Sequence, residues 1–229
     1  MKALIAATVA LGATAGMVMA ETRIYDITDF SRIDASSGLD VRVEVGGAFR
    51  VEAEALSGDL DRLEVDRVGD RLELGRQMSV DLFSGTREDR FRVTVSLPRL
   101  EALELRSGSS AAVTGDAIGL EAIAVRSGAD LAVAALTSDA LSVQVASGSA
   151  TTLAGSCAAL SIEATGGSSV EAAGLTCDRA EIEARSGSSV EVMATGAVTA
   201  QARSGASIDI HGGASVNASE RSGGSVRRR

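Results

Sequence analysis

Residues 103–113 read LELRSGSSAAV. The same frame returns as IAVRSGADLAV at 123–133, VQVASGSATTL at 143–153, IEATGGSSVEA at 162–172, IEARSGSSVEV at 182–192, AQARSGASIDI at 200–210 and ASERSGGSVRR at 218–228. The second residue of each central pair falls at Gly108, Gly128, Gly148, Gly167, Gly187, Gly205 and Gly223, so the steps are 20, 20, 19, 20, 18 and 18 residues. Before the glycine, positions five and three are apolar in nearly every copy: Leu103/Leu105, Ile123/Val125, Val143/Val145, Ile162/Ala164, Ile182/Ala184. After it, positions three and five behave likewise: Leu131/Val133, Val170/Ala172, Val190/Val192, Ile208/Ile210. Polar residues stand between them. Alternation with period two is the pattern of a half-buried strand. A flexible Ser/Gly linker has no reason to alternate, and each Ser-Gly pair interrupts any helix before it gains three turns.

A repeat of two or three short strands cannot bury its own apolar face, whereas stacked repeats can. The expected fold is therefore all-β, a parallel β-solenoid (β-helix) with coils of 18–20 residues. Crossovers between parallel strands are right-handed almost without exception, which predicts the right-handed form. The inward residues shrink from Leu103/Leu105 to Ala200/Ala202 as the step falls to 18, which predicts a taper. Glycine suits a corner with positive φ, and the preceding Ser is expected to bond its own backbone there.

Working outward, residues 33–43 (IDASSGLDVRV) match the frame once more, after which the register is lost until Gly108. Strands are expected in that gap at Phe49–Leu56, at Leu63–Leu74 with a turn at Val68-Gly69-Asp70-Arg71, and at Phe91–Leu97, arranged as antiparallel hairpins. Residues 76–90 read as a polar loop, and Pro98 as a residue placed where a strand begins. All five aromatic residues lie between Tyr25 and Phe91, so this part has the bulkier core and is expected to cap the wide end of the solenoid. The organisation read from the chain is 1–20, a signal peptide; 21–100, a strand-rich part with the first coil and hairpins; 101–226, regular coils continuous with it; and 227–229, a basic tail.

The leader reads MKALIAATVALGATAGMVMA, with Lys2 before an apolar run and Val18-Met19-Ala20 at its end, which predicts cleavage after Ala20. No later run approaches the ~20 apolar residues of a spanning helix. The expectation is an exported, monomeric protein without a transmembrane segment after signal cleavage, in the periplasm, on the outer surface or secreted. The net charge of −9 argues against nucleic acid as a partner. The only Lys is Lys2, so every basic residue beyond the leader is Arg.

The ordered series of a signal peptide, FSRIDASSGLDVRVEVGGAFRVEAEA, LEVDRVGDRLELG, FRVTVSLPRLEALELRSGSSAAVTG and the Ser-Gly coils resembles the bacterial putative auto-transporter adhesin, head GIN domain family, over residues 28–226. The resemblance implies a β-solenoid in an envelope or surface protein and carries over no catalytic or binding residues. An autotransporter needs a translocator barrel; signal and solenoid use up these residues, so the chain is not expected to be one.

Few residues here support chemistry. His211 is the only His and is expected to face solvent without a partner. No Gly-x-Ser-x-Gly elbow, phosphate-binding glycine loop or calcium-binding nonapeptide occurs. Neither catalytic residues nor a cofactor or metal is expected. Two columns of outward acids, Glu104/Glu163/Glu183 and Glu171/Glu191/Asp209, keep a carbohydrate-active lyase or hydrolase as an alternative. The coils lack the aromatic residues that stack on sugars. A periplasmic accessory of a signalling system is a further alternative. The leading reading is a non-enzymatic envelope adhesin or scaffold that binds envelope polysaccharide or another surface protein.

The candidate interaction face is the column Arg106, Arg126, Arg185, Arg203 and Arg221, two positions before the glycine and interrupted by Ala146 and Thr165, beside Glu104, Gln144, Glu163, Glu183 and Gln201. Either the two columns neutralise each other across coils, or they recognise acidic polysaccharide or a partner's carboxylates. Cys157 and Cys177 stand five before Ile162 and Ile182, in equivalent places of successive coils. Stacking at ~4.8 Å would let them form a disulfide in an oxidising compartment; the other reading is two small buried residues filling a corner.

Overall fold

The computed structural model describes residues 21–77 and 89–229. The leader at 1–20 and most of the loop at 76–90 lie outside the described residues. The strands are β1 (Thr22–Tyr25), β2 (Arg32–Ala35), β3 (Asp40–Val45), β4 (Arg50–Ser57), β5 (Leu63–Val68), β6 (Arg71–Arg76), β7 (Arg90–Leu97), β8 (Ala102–Leu105), β9 (Ser110–Gly115), β10 (Ala117–Ile118), β11 (Ala122–Arg126), β12 (Asp130–Ala146), β13 (Ala150–Thr165), β14 (Ser169–Arg185), β15 (Ser189–Arg203), β16 (Ser207–His211), β17 (Ser215–Arg221) and β18 (Ser225–Arg228). β12 to β15 are long because each runs unbroken round corners from one side of the solenoid to the next.

Each coil contributes rungs to stacked parallel sheets. On the first face, formed by the strands before the Ser-Gly pair, Leu103 pairs with Ile123, Ile123 with Val143, Val143 with Ile162, Ile162 with Ile182 and Ile182 with Ala200. On the second face, formed by the strands after it, Ala111 pairs with Leu131, Leu131 with Thr151, Thr151 with Val170, Val170 with Val190 and Val190 with Ile208. These inward residues are buried throughout, so the period-two pattern locates the core. The shortening of the coil is absorbed on the third side, where Ala172 and Thr176 pair with the consecutive Val192 and Met193.

The corner departs from expectation in its serine. Both members of the pair are left-handed: Ser107 and Gly108 have φ of 54° and 73°, and Ser186 and Gly187 have φ of 56° and 73°. Two successive positive φ values are what a tight type I′ turn requires. The corner amides then bond along the stack: Gly108 N–H donates to the Ser127 carbonyl at 3.0 Å, Gly128 N–H to Ser147 at 3.1 Å and Gly187 N–H to Ser204 at 3.1 Å. The hydroxyls that tie coil to coil belong instead to the serine after the glycine, which is buried. Ser149 Oγ accepts from Ala129 N–H at 3.2 Å, and Ser168 and Ser188 donate to the carbonyls of Val145 and Ala164 at 3.0 Å.

The N-terminal part is threaded around the first coil. β2 and β3 pair directly with β8 and β9, so the coil at 32–45 stacks on the coil at 102–115. On its other side β6 and β7 pair in parallel with β2 and β3. The first coil is thus sandwiched, and the register that the sequence loses after Val43 is a spatial continuation. β5 is antiparallel to β6, β4 to β7 and β1 to β4, giving the expected hairpin at 68–71 and an antiparallel end. Phe30 and Phe49 meet there with centroids 5.1 Å apart. Pro98 follows the end of β7 rather than opening a strand, since β8 begins at Ala102.

Candidate interaction face

The outward residues of the first face form columns because parallel register repeats every side chain one rung on. Glu104, Ala124, Gln144, Glu163, Glu183 and Gln201 lie in one column, which continues on the N-terminal side into Asp34 and Glu73. In the neighbouring column Arg126 pairs with Ala146, Ala146 with Thr165, Arg185 with Arg203 and Arg203 with Arg221. The structure therefore brings the candidate residues together in two adjacent columns.

The two ends of that face differ electrostatically. At the N-terminal end Arg106 holds Asp34 at 2.5 Å and approaches Glu104 at 3.6 Å, while Arg126 reaches Glu104 at 3.8 Å and Gln144 at 2.8 Å. Asp34 is 7% exposed. Its hydrogen bond raises the Arg106 guanidinium above its ordinary pKa, so the pair is a fixed ion pair. Towards the C-terminal end Arg185 pairs with Glu183, which raises its pKa, and Glu163 adds its field from the next rung. Arg203 bonds neutral Gln201 at 2.7 Å, and its Nε is buried without a partner among the described residues. Asp34 was missed as a partner because 72 residues separate it from Arg106. Its signal was present in the match of IDASSG to the coil frame.

His211 faces outward but has a partner, which corrects the sequence reading: its Nε2 lies 2.6 Å from Glu191 of the preceding rung. Glu171, Glu191 and Asp209 do form one column, and Arg229 takes Asp209 at 3.1 Å. Among the described residues no group of three His, Cys, Asp or Glu side chains is placed to hold a metal ion. Cys157 and Cys177 pair in register on the third side and are joined by a disulfide with Cα atoms 4.5 Å apart. At the far edge of the first face an open groove of about 480 Å³ is lined mainly by small or apolar residues, among them Ala140, Leu141, Ala159, Leu160 and Ala197.

The model of the family described as putative auto-transporter adhesin, head GIN domain, matches residues 29–214. The chain belongs to this family. Several solved structures share its fold. A putative adhesin from Bacteroides fragilis NCTC 9343 aligns with a TM-score of 0.81 at 18% identity, covering 93% of this chain and 97% of that one. A putative lipid binding protein from Parabacteroides distasonis ATCC 8503 aligns at 0.65 and 17% identity, covering 92% and 96%. A putative adhesin from Parabacteroides merdae ATCC 43184 aligns at 0.63 and 16% identity, covering 93% and 98%. At such identities the likeness establishes the fold. A search of curated proteins finds no match. Among the described residues no helix is long and apolar enough to cross a membrane.

Proposed function

We propose that this family member is a non-enzymatic exported adhesin that holds an envelope polysaccharide or a partner surface protein against the first face of its solenoid. The observation that carries the reading is the pair of outward columns along one sheet, which set Arg106 beside Glu104, Arg185 beside Glu183 and Arg203 beside Gln201, with Ala146 and Thr165 interrupting the Arg column. Such an array meets an extended ligand at many weak contacts and offers no single centre where bonds would be made or broken. Four of the six acids that an enzymatic reading would recruit are already engaged: Glu104 by Arg106, Glu183 by Arg185, Glu191 by His211 and Asp209 by Arg229. Membership of an adhesin-named family and the leader at 1–20 support export. The test uses the protein from residue 21 onward. It should attach to envelope polysaccharide or whole cells and release no shortened glycan on prolonged incubation. Turnover abolished by a single carboxylate substitution would replace this reading with the enzymatic one.

A further inference from the structure

Charge is unevenly distributed along the solenoid axis. Residues 185–229 carry six Arg against three acidic side chains, whereas residues 21–184 carry fifteen Arg against twenty-eight. The reversal is visible column by column. In the outward column of the first face, Glu163 and Glu183 give way to Gln201 and then Ser219. In the adjacent column, neutral Ala146 and Thr165 give way to Arg185, Arg203 and Arg221. Across the corner, the acidic column Glu171, Glu191 and Asp209 ends in Arg227.

The three acids of this end are already engaged: Glu191 with His211, Asp209 with Arg229, and Glu220 as acceptor for Val226 N–H at 2.6 Å. Among the described residues, Arg203, Arg221 and Arg227 have no carboxylate in ion-pair contact. Arg203 and Arg221 nevertheless stand in register on neighbouring strands, about 4.8 Å apart at the backbone, where like charges repel unless an anion lies between them.

We infer that the C-terminal end of the solenoid is a binding site for a linear polyanionic polysaccharide, whose carboxylates or sulfates lie along the column Arg185, Arg203 and Arg221, with Arg227 reaching it from across the corner. A line of guanidinium groups parallel to the axis fits a polymer that runs along the rod. The line is a single column wide and is bordered on one side by the neutral Gln201 and Ser219, so it matches one strand of anionic groups. Planar guanidinium groups also bind such oxyanions with two parallel hydrogen bonds. This inference rests on the adhesive reading for its biological use and goes beyond it in naming the ligand class and the end that binds.

The test is retention of residues 21–229 on immobilised polygalacturonate, a linear polycarboxylate, across a salt gradient, with neutral dextran and vesicles containing phosphatidylglycerol as comparisons. Binding that weakens with salt, and about tenfold further in Arg203→Gln with Arg221→Gln, is expected. The exposed pair Arg221→Gln with Arg227→Gln should act the same way and guards against a folding defect at the partly buried Arg203. The pair Arg23→Gln with Arg50→Gln, which lie outside the two columns and are matched by Asp61 and Glu52, should bind as the parent does. Equal loss from both ends, absence of polygalacturonate binding, or binding to vesicles alone would each overturn the proposal. Retained attachment to cells by a protein that ignores polygalacturonate would leave the adhesive reading standing and this site refuted.

Discussion

Ile33 lies directly in register with Leu103 on the neighbouring strand, and Leu39 N–H donates to Ser109 Oγ at 3.3 Å across a sequence separation of 70. The first coil is therefore an internal layer of the stack, closed on one side by β6 and β7 and on the other by β8 and β9. Both side chains are buried, at 1% exposure. Ile33→Ala is expected to lower unfolding stability by about 2–5 kcal/mol, similar to Leu103→Ala. The double variant should lose less than the sum, because the two cavities merge. Urea unfolding measures all three; a loss well under 1 kcal/mol for Ile33→Ala would show that the layer is not packed.

The Cys157–Cys177 bond closes a loop of 20 residues between consecutive coils. Replacing both with Ala should cost about 3 kcal/mol in the chain-entropy account. Protein recovered from an oxidising compartment should take up no alkylating reagent until reduced. Two modified thiols without reductant would contradict the bond.

Thr151 is 1% exposed and its hydroxyl has no partner among the described residues. It stands between Leu131 and Val170 in an otherwise apolar column. Thr151→Val keeps the shape and removes an unsatisfied polar atom, so stability should rise by about 1 kcal/mol. A fall on thermal or chemical unfolding would mean that the hydroxyl is satisfied in solution.

Gly187 and Gly155 separate backbone conformation from space. At Gly187, φ is +73° and an added Cβ meets nothing within 4 Å. Gly187→Ala should therefore cost only the left-handed penalty of about 1–2 kcal/mol. At Gly155, φ is +137° and the Cβ would fall 2.0 Å from the Leu136 carbonyl oxygen. Gly155→Ala should cost clearly more, and the order of the two melting temperatures checks the argument.

The last rung puts charges where earlier rungs are apolar: Glu220 takes the place of Ala202, and Arg228 that of Ile210. The charge on this second strand comes from Arg228, since Arg227 continues the outward column from Asp209. Such residues deter strand addition at an open sheet edge. Glu220→Val with Arg228→Ile should promote self-association, read as faster sedimentation at equal concentration. An unchanged sedimentation coefficient would remove this role.

The repeated frame by itself determined the strands, which side chains face inward, the corners and the equivalence of the two cysteines, because period-two alternation and a fixed coil length specify register locally. It determined the composition of the Arg and Glu columns for the same reason. Three things were decided only by the tertiary structure. Asp34 became the partner of Arg106 because the chain after Val45 covers one side of the first coil with β6 and β7 and only then stacks β8 on the other, an order that the frame match at IDASSG does not reveal. His211 acquired Glu191 because parallel pairing sets consecutive rungs about 4.8 Å apart, within reach of a side chain on the next coil. The corner serine became left-handed because the turn between the two faces needs two successive positive φ values, and the alternating pattern on either side says nothing about the angle at which the faces meet.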